Sequence, residues 1–256
     1  MTGPVAPVAD VPSAFVDAVA TAFAARSGAS FVMVLSGGPT ARACYQRLAE
    51  ACQAPNSSII DWSVVEVYMG DERVVPPDDP DANQRLVRES LLDHVPPVAS
   101  FTPMPTEGAI EACVAAYQGV MARLLGPGGP GIDLIHLGMG PDGHTASLFP
   151  GAPTLQAGPD VLVAATEDPN GRNPHPRLTV TLPVINAARR AVFTVSGDSK
   201  FNAVAQLRAG AVLPAAEVQS AEVIWLVDRA AFGEVSGEGP REAASRGSGS
   251  DDGHAP

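Results

Sequence analysis

The chain has 256 residues, 45% hydrophobic and 17% charged, and 16 Lys and Arg against 28 Asp and Glu leave a formal net charge of −12. That field argues against non-specific binding to nucleic acid or anionic membrane, both of which need clustered cations, and the apolar content is that of a packed domain, not of a disordered polymer. No apolar run approaches the ~20 residues needed to span a bilayer, and the opening MTGPVAPVAD lacks the basic-then-apolar pattern of a secretory signal.

Short apolar runs alternate with amphipathic stretches along the chain. The first helix is expected at Ser13–Arg26, then a strand at Phe31–Leu35, a helix at Thr40–Cys52 and a strand at Val64–Met69. Helices follow at Asn83–Asp93 and Ile110–Leu125. In the first of these Leu86, Val87 and Leu91 line one side and Arg85, Arg88 and Glu89 the other. Strands are expected at Ile132–Leu137, Val161–Ala165, Leu178–Thr181 and Ala191–Val195, then a helix at Ser199–Arg208, a strand at Val223–Val227 and a helix at Arg229–Val235. This alternation predicts an α/β fold, a mostly parallel, Rossmann-like sheet covered by helices on both faces. Residues 1–235 read as a single domain. Ser236–Pro256 carries no large apolar residue and reads as a disordered tail.

Ligands of such sheets bind outside the carboxyl ends of the strands, and five segments there carry chemistry. Ser36-Gly37-Gly38-Pro39-Thr40 joins a strand to a helix. It is either a phosphate cradle of backbone N–H groups and a helix N-terminus or a tight turn with Thr40 near the cap. It is not a Walker A loop, because no GK[ST] follows. Asp71-Glu72-Arg73 puts three charges at a strand end, where burial is costly without partners. Either Arg73 contacts an anionic ligand with the acids positioning it, or the segment is a solvated loop. For Asn83, at a helix start, capping is the simplest role.

Gly138, Gly140 and Gly143 fit G-x-G-x-x-G, but Pro150-Gly151 arrives too soon for the crossover helix a dinucleotide site requires. What remains is a glycine-rich loop holding Asp142 and His144. A histidine can take a proton from water near neutral pH, and a carboxylate two positions away could orient it. His136, inside the strand IDLIHL, reads as a packed or hydrogen-bonded histidine. In Asn173-Pro174-His175-Pro176-Arg177 either the prolines present Arg177 at a defined place or Arg177 is an ordinary surface arginine. Fifteen of the 16 basic residues are arginine, and the one lysine, Lys200, follows Ser196-Gly197-Asp198-Ser199 into the first turn of a helix. The dipole disfavours a cation there, which suggests a compensating anion. A protein of charge −12 repels anions at long range, so an anionic substrate needs local cations and N–H donors such as these. Cys44, Cys52 and Cys113 have no CxxC spacing, which argues against a disulfide framework or structural zinc and fits a reducing cytoplasm. No His/Cys/Asp/Glu set has metal-ligand spacing.

The segments LSGGPTARACYQRLA, WSVVEVYMGDERVVP, DANQRL, LGMGPDGHTASLFPG, PRLTVTLPVINAARRAVFTVSGDSK and IWLVD together resemble the 6-phosphogluconolactonases of the oxidative pentose phosphate pathway, from about Val11 to Val235. GPDGHTASLFPG is the most specific of them. Ala41 and Ala82 depart from the proline and serine usual there. The resemblance implies a three-layer αβα sandwich shared with glucosamine-6-phosphate deaminases and ribose-5-phosphate isomerases. It implies hydrolysis of 6-phospho-D-glucono-1,5-lactone with no metal or organic cofactor. His144 and Asp142 would be the catalytic residues. Gly37, Gly38, Thr40, Asp71, Arg73, Asn83, Gly140, Arg177 and Lys200 would bind substrate, with Arg177 and Lys200 leading on the phosphate and Arg73 or loop N–H groups on the oxyanion. The expected partner is a small phosphosugar lactone, neither nucleic acid nor membrane, and the expected assembly a monomer. Aminosugar-phosphate deaminases are a weaker match, because they carry DEY and GHIAFNEP where this chain has DER and GHTASLFP. A non-catalytic sugar-phosphate sensor is a further alternative, although the chain shows no basic recognition helix.

Overall fold

The first long helix, α1 (Val11–Ala24), starts where the sequence supplies a cap. The Asp10 side chain accepts the Ser13 N–H at 2.9 Å, and Pro12 sits in the first turn, where no intrahelical N–H is lost. Its buried face holds Val11, Phe15, Val19, Ala22 and Phe23 at helical spacing. The computed structural model describes residues 5–53, 59–171 and 174–234, so the predicted tail at Ser236–Pro256 lies outside the described residues.

The other helices are α2 (Pro39–Gln53), α3 (Asn83–Ser90), α4 (Ile110–Leu125), α5 (Leu182–Ala187), α6 (Phe201–Arg208) and α7 (Arg229–Phe232). The strands are β1 (Ala6–Pro7), β2 (Phe31–Leu35), β3 (Val65–Met69), β4 (Asp71–Arg73), β5 (Ser100–Thr102), β6 (Leu134–Gly138), β7 (Val163–Thr166), β8 (Arg177–Val180), β9 (Arg190–Val195) and β10 (Glu222–Val227). Among the described residues seven strands form one sheet in the order β1, β10, β9, β6, β2, β3, β5, with every neighbouring pair parallel. Its central strand β2, FVMVL, is buried at every residue, as expected of a parallel strand covered on both faces.

The path explains the layers. From β1 to β3 the chain steps across the sheet in one direction through α1 and α2, and from β5 to β10 it steps back through α4, α5 and α6. Right-handed crossovers therefore put the two sets on opposite faces. Helices α1 and α2 pack on each other and against β9, while α4 packs on α5 and β7. The α/β sandwich expected from the alternation is the one found.

Two expected strands belong elsewhere. β7 and β8 leave the main sheet and join β4 in a separate antiparallel sheet of order β4, β8, β7. Asp71-Glu72-Arg73, expected as a loop, is thus a strand, paired Asp71 to Thr179, Glu72 to Leu178 and Arg73 to Arg177. Helix α3 stops at Ser90 and a 3₁₀ turn at Leu92–His94 takes over, shorter than the predicted Asn83–Asp93. The helix expected at Ser199–Arg208 opens as a 3₁₀ turn, Asp198–Lys200, that runs directly into α6, and Lys200 occupies the N-cap position of α6 with no side-chain cap bond.

His136 is buried in β6 as expected. Its Nδ1 lies 2.8 Å from Tyr45 Oη and its Nε2 2.8 Å from Thr194 Oγ1. Burial pulls its pKa down to about 3, so the ring is neutral. Tyr45 also accepts the Ser36 N–H at 3.1 Å and donates to the Ser36 carbonyl at 2.7 Å. One buried network thus ties the ends of β2, β6 and β9 together beneath the turn that follows Ser36.

Candidate active site

The chain leaves β2 towards β3 and leaves β6 in the opposite direction towards β9, yet β2 and β6 are neighbours in the sheet. Divergence of this kind opens a crevice at the carboxyl ends of the two strands. A cleft of about 530 Å³ lies there, a size suited to a small ligand. The eleven residues singled out in the sequence all line it: Gly37, Gly38, Thr40, Asp71, Arg73, Asn83, Gly140, Asp142, His144, Arg177 and Lys200.

One wall is the turn after β2. Gly38 adopts φ +105°, which side-chain-bearing residues rarely adopt. Gly37 lies against Asn83, and a Cβ there would fall 1.8 Å from Asn83 Oδ1. The first intrahelical bond of α2 runs from the Arg42 N–H to the Gly38 carbonyl at 3.0 Å. The N–H groups of Thr40 and Ala41, in this same first turn, have no helical acceptor and are available to an anion.

Asn83 does not cap α3 with its side chain. Its Nδ2 donates to the Asp71 carbonyl at 2.9 Å, and the cap residue Ala82 has no side chain to offer. The capping group is Glu72, reaching across from β4. Glu72 Oε1 accepts the N–H of Asn83 at 2.6 Å and of Arg73 at 2.8 Å, and Oε2 accepts that of Gln84 at 2.7 Å. Its side chain is 0% exposed. Burial pushes the carboxyl up to about 7 against these three bonds, which act to lower it. The sequence suggests the two acids of Asp71-Glu72-Arg73 as groups that position Arg73, but not that Glu72 caps α3. The signals were present: an acid flanked by residues of the opposite face of a strand, and a helix start at Ala82 with no cap of its own.

Arg73 and Arg177 stand directly opposite each other on β4 and β8. Like charges so placed repel unless an anion lies with them. Asp71 is the protein's own contribution: its Oδ2 lies 3.7 Å from Arg177 Nη1 and accepts the Ser147 hydroxyl at 2.8 Å. Ser147 carries no signal of this role in the sequence. Arg73 Nη1 donates to the Asp81 carbonyl at 2.6 Å. Burial pulls the Lys200 ammonium below its usual value, with the Asp142 carboxylate opposing. The cleft therefore gathers three cations in a protein of charge −12.

The facing wall is the loop after β6. His144 Nδ1 lies 2.6 Å from Asp142 Oδ1, which also accepts the His144 backbone N–H at 3.2 Å. Burial works to raise Asp142, but the hydrogen bond and charge of His144 outweigh it and hold the carboxyl at about 2. An ionised carboxylate can only accept, so Nδ1 carries the ring proton and the Nε2 lone pair is left for chemistry. Phe149 supports the ring at a centroid distance of 4.8 Å. Gly140 lines the cleft, but its N–H donates to the His144 carbonyl at 2.8 Å, so it is committed to the loop. A Cβ at Gly140 would lie 2.1 Å from His144 Nδ1 and 2.7 Å from Asp142 Oδ1. Ala146, next to the pair, is the one non-glycine described residue with positive φ, at 46°. Burial pushes the Cys44 thiol up to about 12, which disqualifies it as a nucleophile. Among the described residues no group of three or more His, Cys, Asp or Glu is placed to hold a metal ion, and no helix is long and apolar enough to cross a membrane.

The family model for glucosamine-6-phosphate isomerases and 6-phosphogluconolactonases matches residues 6–225. A 6-phosphogluconolactonase of Synechocystis sp. is 39% identical over 209 residues, covering 78% of this chain and 82% of its own. One from Mycobacterium tuberculosis is 37% identical over 226 residues, with 84% and 88% covered. The crystal structure of a 6-phosphogluconolactonase from Thermotoga maritima superposes with a TM-score of 0.74 at 28% identity, covering 88% of this chain and 98% of that one.

Proposed function

The chain belongs to the glucosamine-6-phosphate isomerase/6-phosphogluconolactonase family, and from that premise we propose that it hydrolyses 6-phospho-D-glucono-1,5-lactone to 6-phospho-D-gluconate. The observation that carries the reading is the His144–Asp142 pair opening onto the same cleft as Arg73, Arg177, Lys200 and the glycine turn. A phosphorylated lactone needs both halves of that cleft, an anion grip and a base.

In this reading the phosphate docks on the N–H groups that open α2 and on Arg177 and Lys200, which brings the lactone carbonyl to His144. The Nε2 atom takes a proton from water and the hydroxide attacks C1. Asp142 holds the ring and stabilises the imidazolium that forms. Arg73, which lines the same cleft, is assigned the negative charge that develops on the carbonyl oxygen. The tetrahedral intermediate collapses by breaking the bond from C1 to the ring oxygen. That oxygen takes the proton from His144, which regenerates the base. The new carboxylic acid ionises at neutral pH, so each turnover releases one proton. No metal or organic cofactor takes a step.

The test is proton release from the lactone in a pH-stat, with the spontaneous opening subtracted. Enzyme-dependent release is expected. Ammonia release from glucosamine 6-phosphate would replace this reading with a deaminase, and binding of 6-phosphogluconate without hydrolysis would replace it with a sensor.

A further inference from the structure

We infer that Glu72 is a positioning residue for this site: its buried carboxylate joins β4 to the start of α3 and thereby sets Arg73 and Asn83 against the anion-binding turn. The inference rests on the hydrolase reading above and adds a residue to it. Three backbone N–H groups converge on one carboxylate with no exposed surface, and two of them belong to cleft residues, Arg73 at 2.8 Å and Asn83 at 2.6 Å.

The consequences run outward from there. Glu72 fixes the backbone of Asn83. The Asn83 amide then donates to the Asp71 carbonyl at 2.9 Å, and its Oδ1 occupies the space a Cβ of Gly37 would need. Asn83 is thus a wedge between β4 and the turn that would hold phosphate. Arg73, on the strand next to Glu72, takes its main-chain position from the same carboxylate. Asp71 and Arg73 point to the cleft, and Glu72, one residue off in a strand of period two, points away from it towards α3. Glu72 touches no substrate in this arrangement; it acts through its neighbours.

A helix cap with no other duty would look similar, so the test separates the two. Glu72→Met keeps the length but accepts hydrogen bonds only weakly, which leaves the N–H groups of Arg73, Asn83 and Gln84 without an acceptor. Ala82→Ser supplies an ordinary cap oxygen for Gln84 or Arg85, yet reaches neither the Arg73 nor the Asn83 N–H. Glu72→Met is expected to lower both Tm and kcat/KM, the latter by at least about tenfold, because displacements near 1 Å in a site cost up to ~10²-fold. In the double variant Tm is expected to recover in part while kcat/KM stays low. Recovery of both, or wild-type kcat/KM in a folded Glu72→Met, overturns the inference. Should Glu72→Met not fold, Glu72→Asp keeps the carboxyl and shortens the reach, with the same tenfold loss expected and wild-type kcat/KM overturning. Wild-type turnover tests the hydrolase reading separately. In its absence, inorganic phosphate affinity by calorimetry is read across the same variants. Weakening on the order of tenfold is expected in the double variant, and no change overturns the inference.

Discussion

Gly140→Ala tests the loop that carries the proposed base with a single methyl group. The added Cβ would sit 2.1 Å from His144 Nδ1, 2.2 Å from its Cε1 and 2.7 Å from Asp142 Oδ1. Ordinary contact begins near 3.4 Å, so the imidazole must retreat by at least about 1.3 Å, and a misplacement of ~1 Å costs about 10²-fold in rate. The atoms that must move are those of the proposed catalytic pair itself. Gly140 is not among the glycines with positive φ, so its backbone tolerates alanine and the effect is steric. The turn that would hold phosphate belongs to a different strand and is left alone. Steady-state kinetics of Gly140→Ala should therefore show kcat down about 10²-fold and an unchanged inhibition constant for inorganic phosphate. Gly158→Ala is the control: it lies outside the cleft, a Cβ there meets nothing within 4 Å, and its kcat should stay within about twofold of wild type. A Gly140→Ala enzyme with wild-type kcat, or an equal loss in Gly158→Ala, would refute the steric argument.

Lys200→Ala should raise KM about tenfold or more with little change in kcat, the signature of lost binding shared by ground and transition states; an unchanged KM removes Lys200 from the phosphate site. Asp142 has a folded pKa of about 2 against 3.8 for the free group, so its stabilisation is fully present above pH ~4 and is lost as pH falls through about 2. Urea unfolding from pH ~5 to pH ~3 should cost the wild type about 1 kcal/mol more than Asp142→Asn, and equal losses would contradict the assigned shift. Tyr45→Phe removes the partner of the Ser36 N–H and carbonyl and of His136 Nδ1. It should lower unfolding free energy by about 3 kcal/mol; denaturation within ~0.5 kcal/mol of wild type would show that the network does not brace the turn.

Legibility from sequence follows the range of the interactions. FVMVL announces a doubly covered strand because burial on both faces leaves an unbroken apolar run, and IDLIHL is apolar apart from Asp133 at its entry and His136, which is satisfied from within. The glycine turn and the GPDGH loop are legible because turn chemistry and the spacing of Asp142 and His144 are local. Asp71-Glu72-Arg73 was not legible as a strand. Its charges are made tolerable by Ser147, 76 residues away, by Arg177 on the neighbouring strand and by the N–H groups of α3, and no periodicity records such pairings. The assignment of β7 and β8 to a second sheet was hidden for the same reason. β1 and β5 are too short, at two and three residues, to show alternation. For α5, Pro183 obscured a helix whose first turn tolerates proline. Gly140 illustrates a further limit: three glycines in a loop signal freedom, but which one makes room for the imidazole emerges only when the loop closes on itself.

The central claim is that the Nε2 lone pair of His144, oriented by Asp142 within an anion-binding cleft, draws the proton from water as a lactone opens. Enzyme-dependent proton release from 6-phospho-D-glucono-1,5-lactone should be measured for wild type and His144→Asn at saturating substrate, alongside inorganic phosphate affinity for both. The account predicts turnover lower by at least about 10²-fold in the variant with phosphate affinity retained. Wild-type turnover from His144→Asn would contradict it.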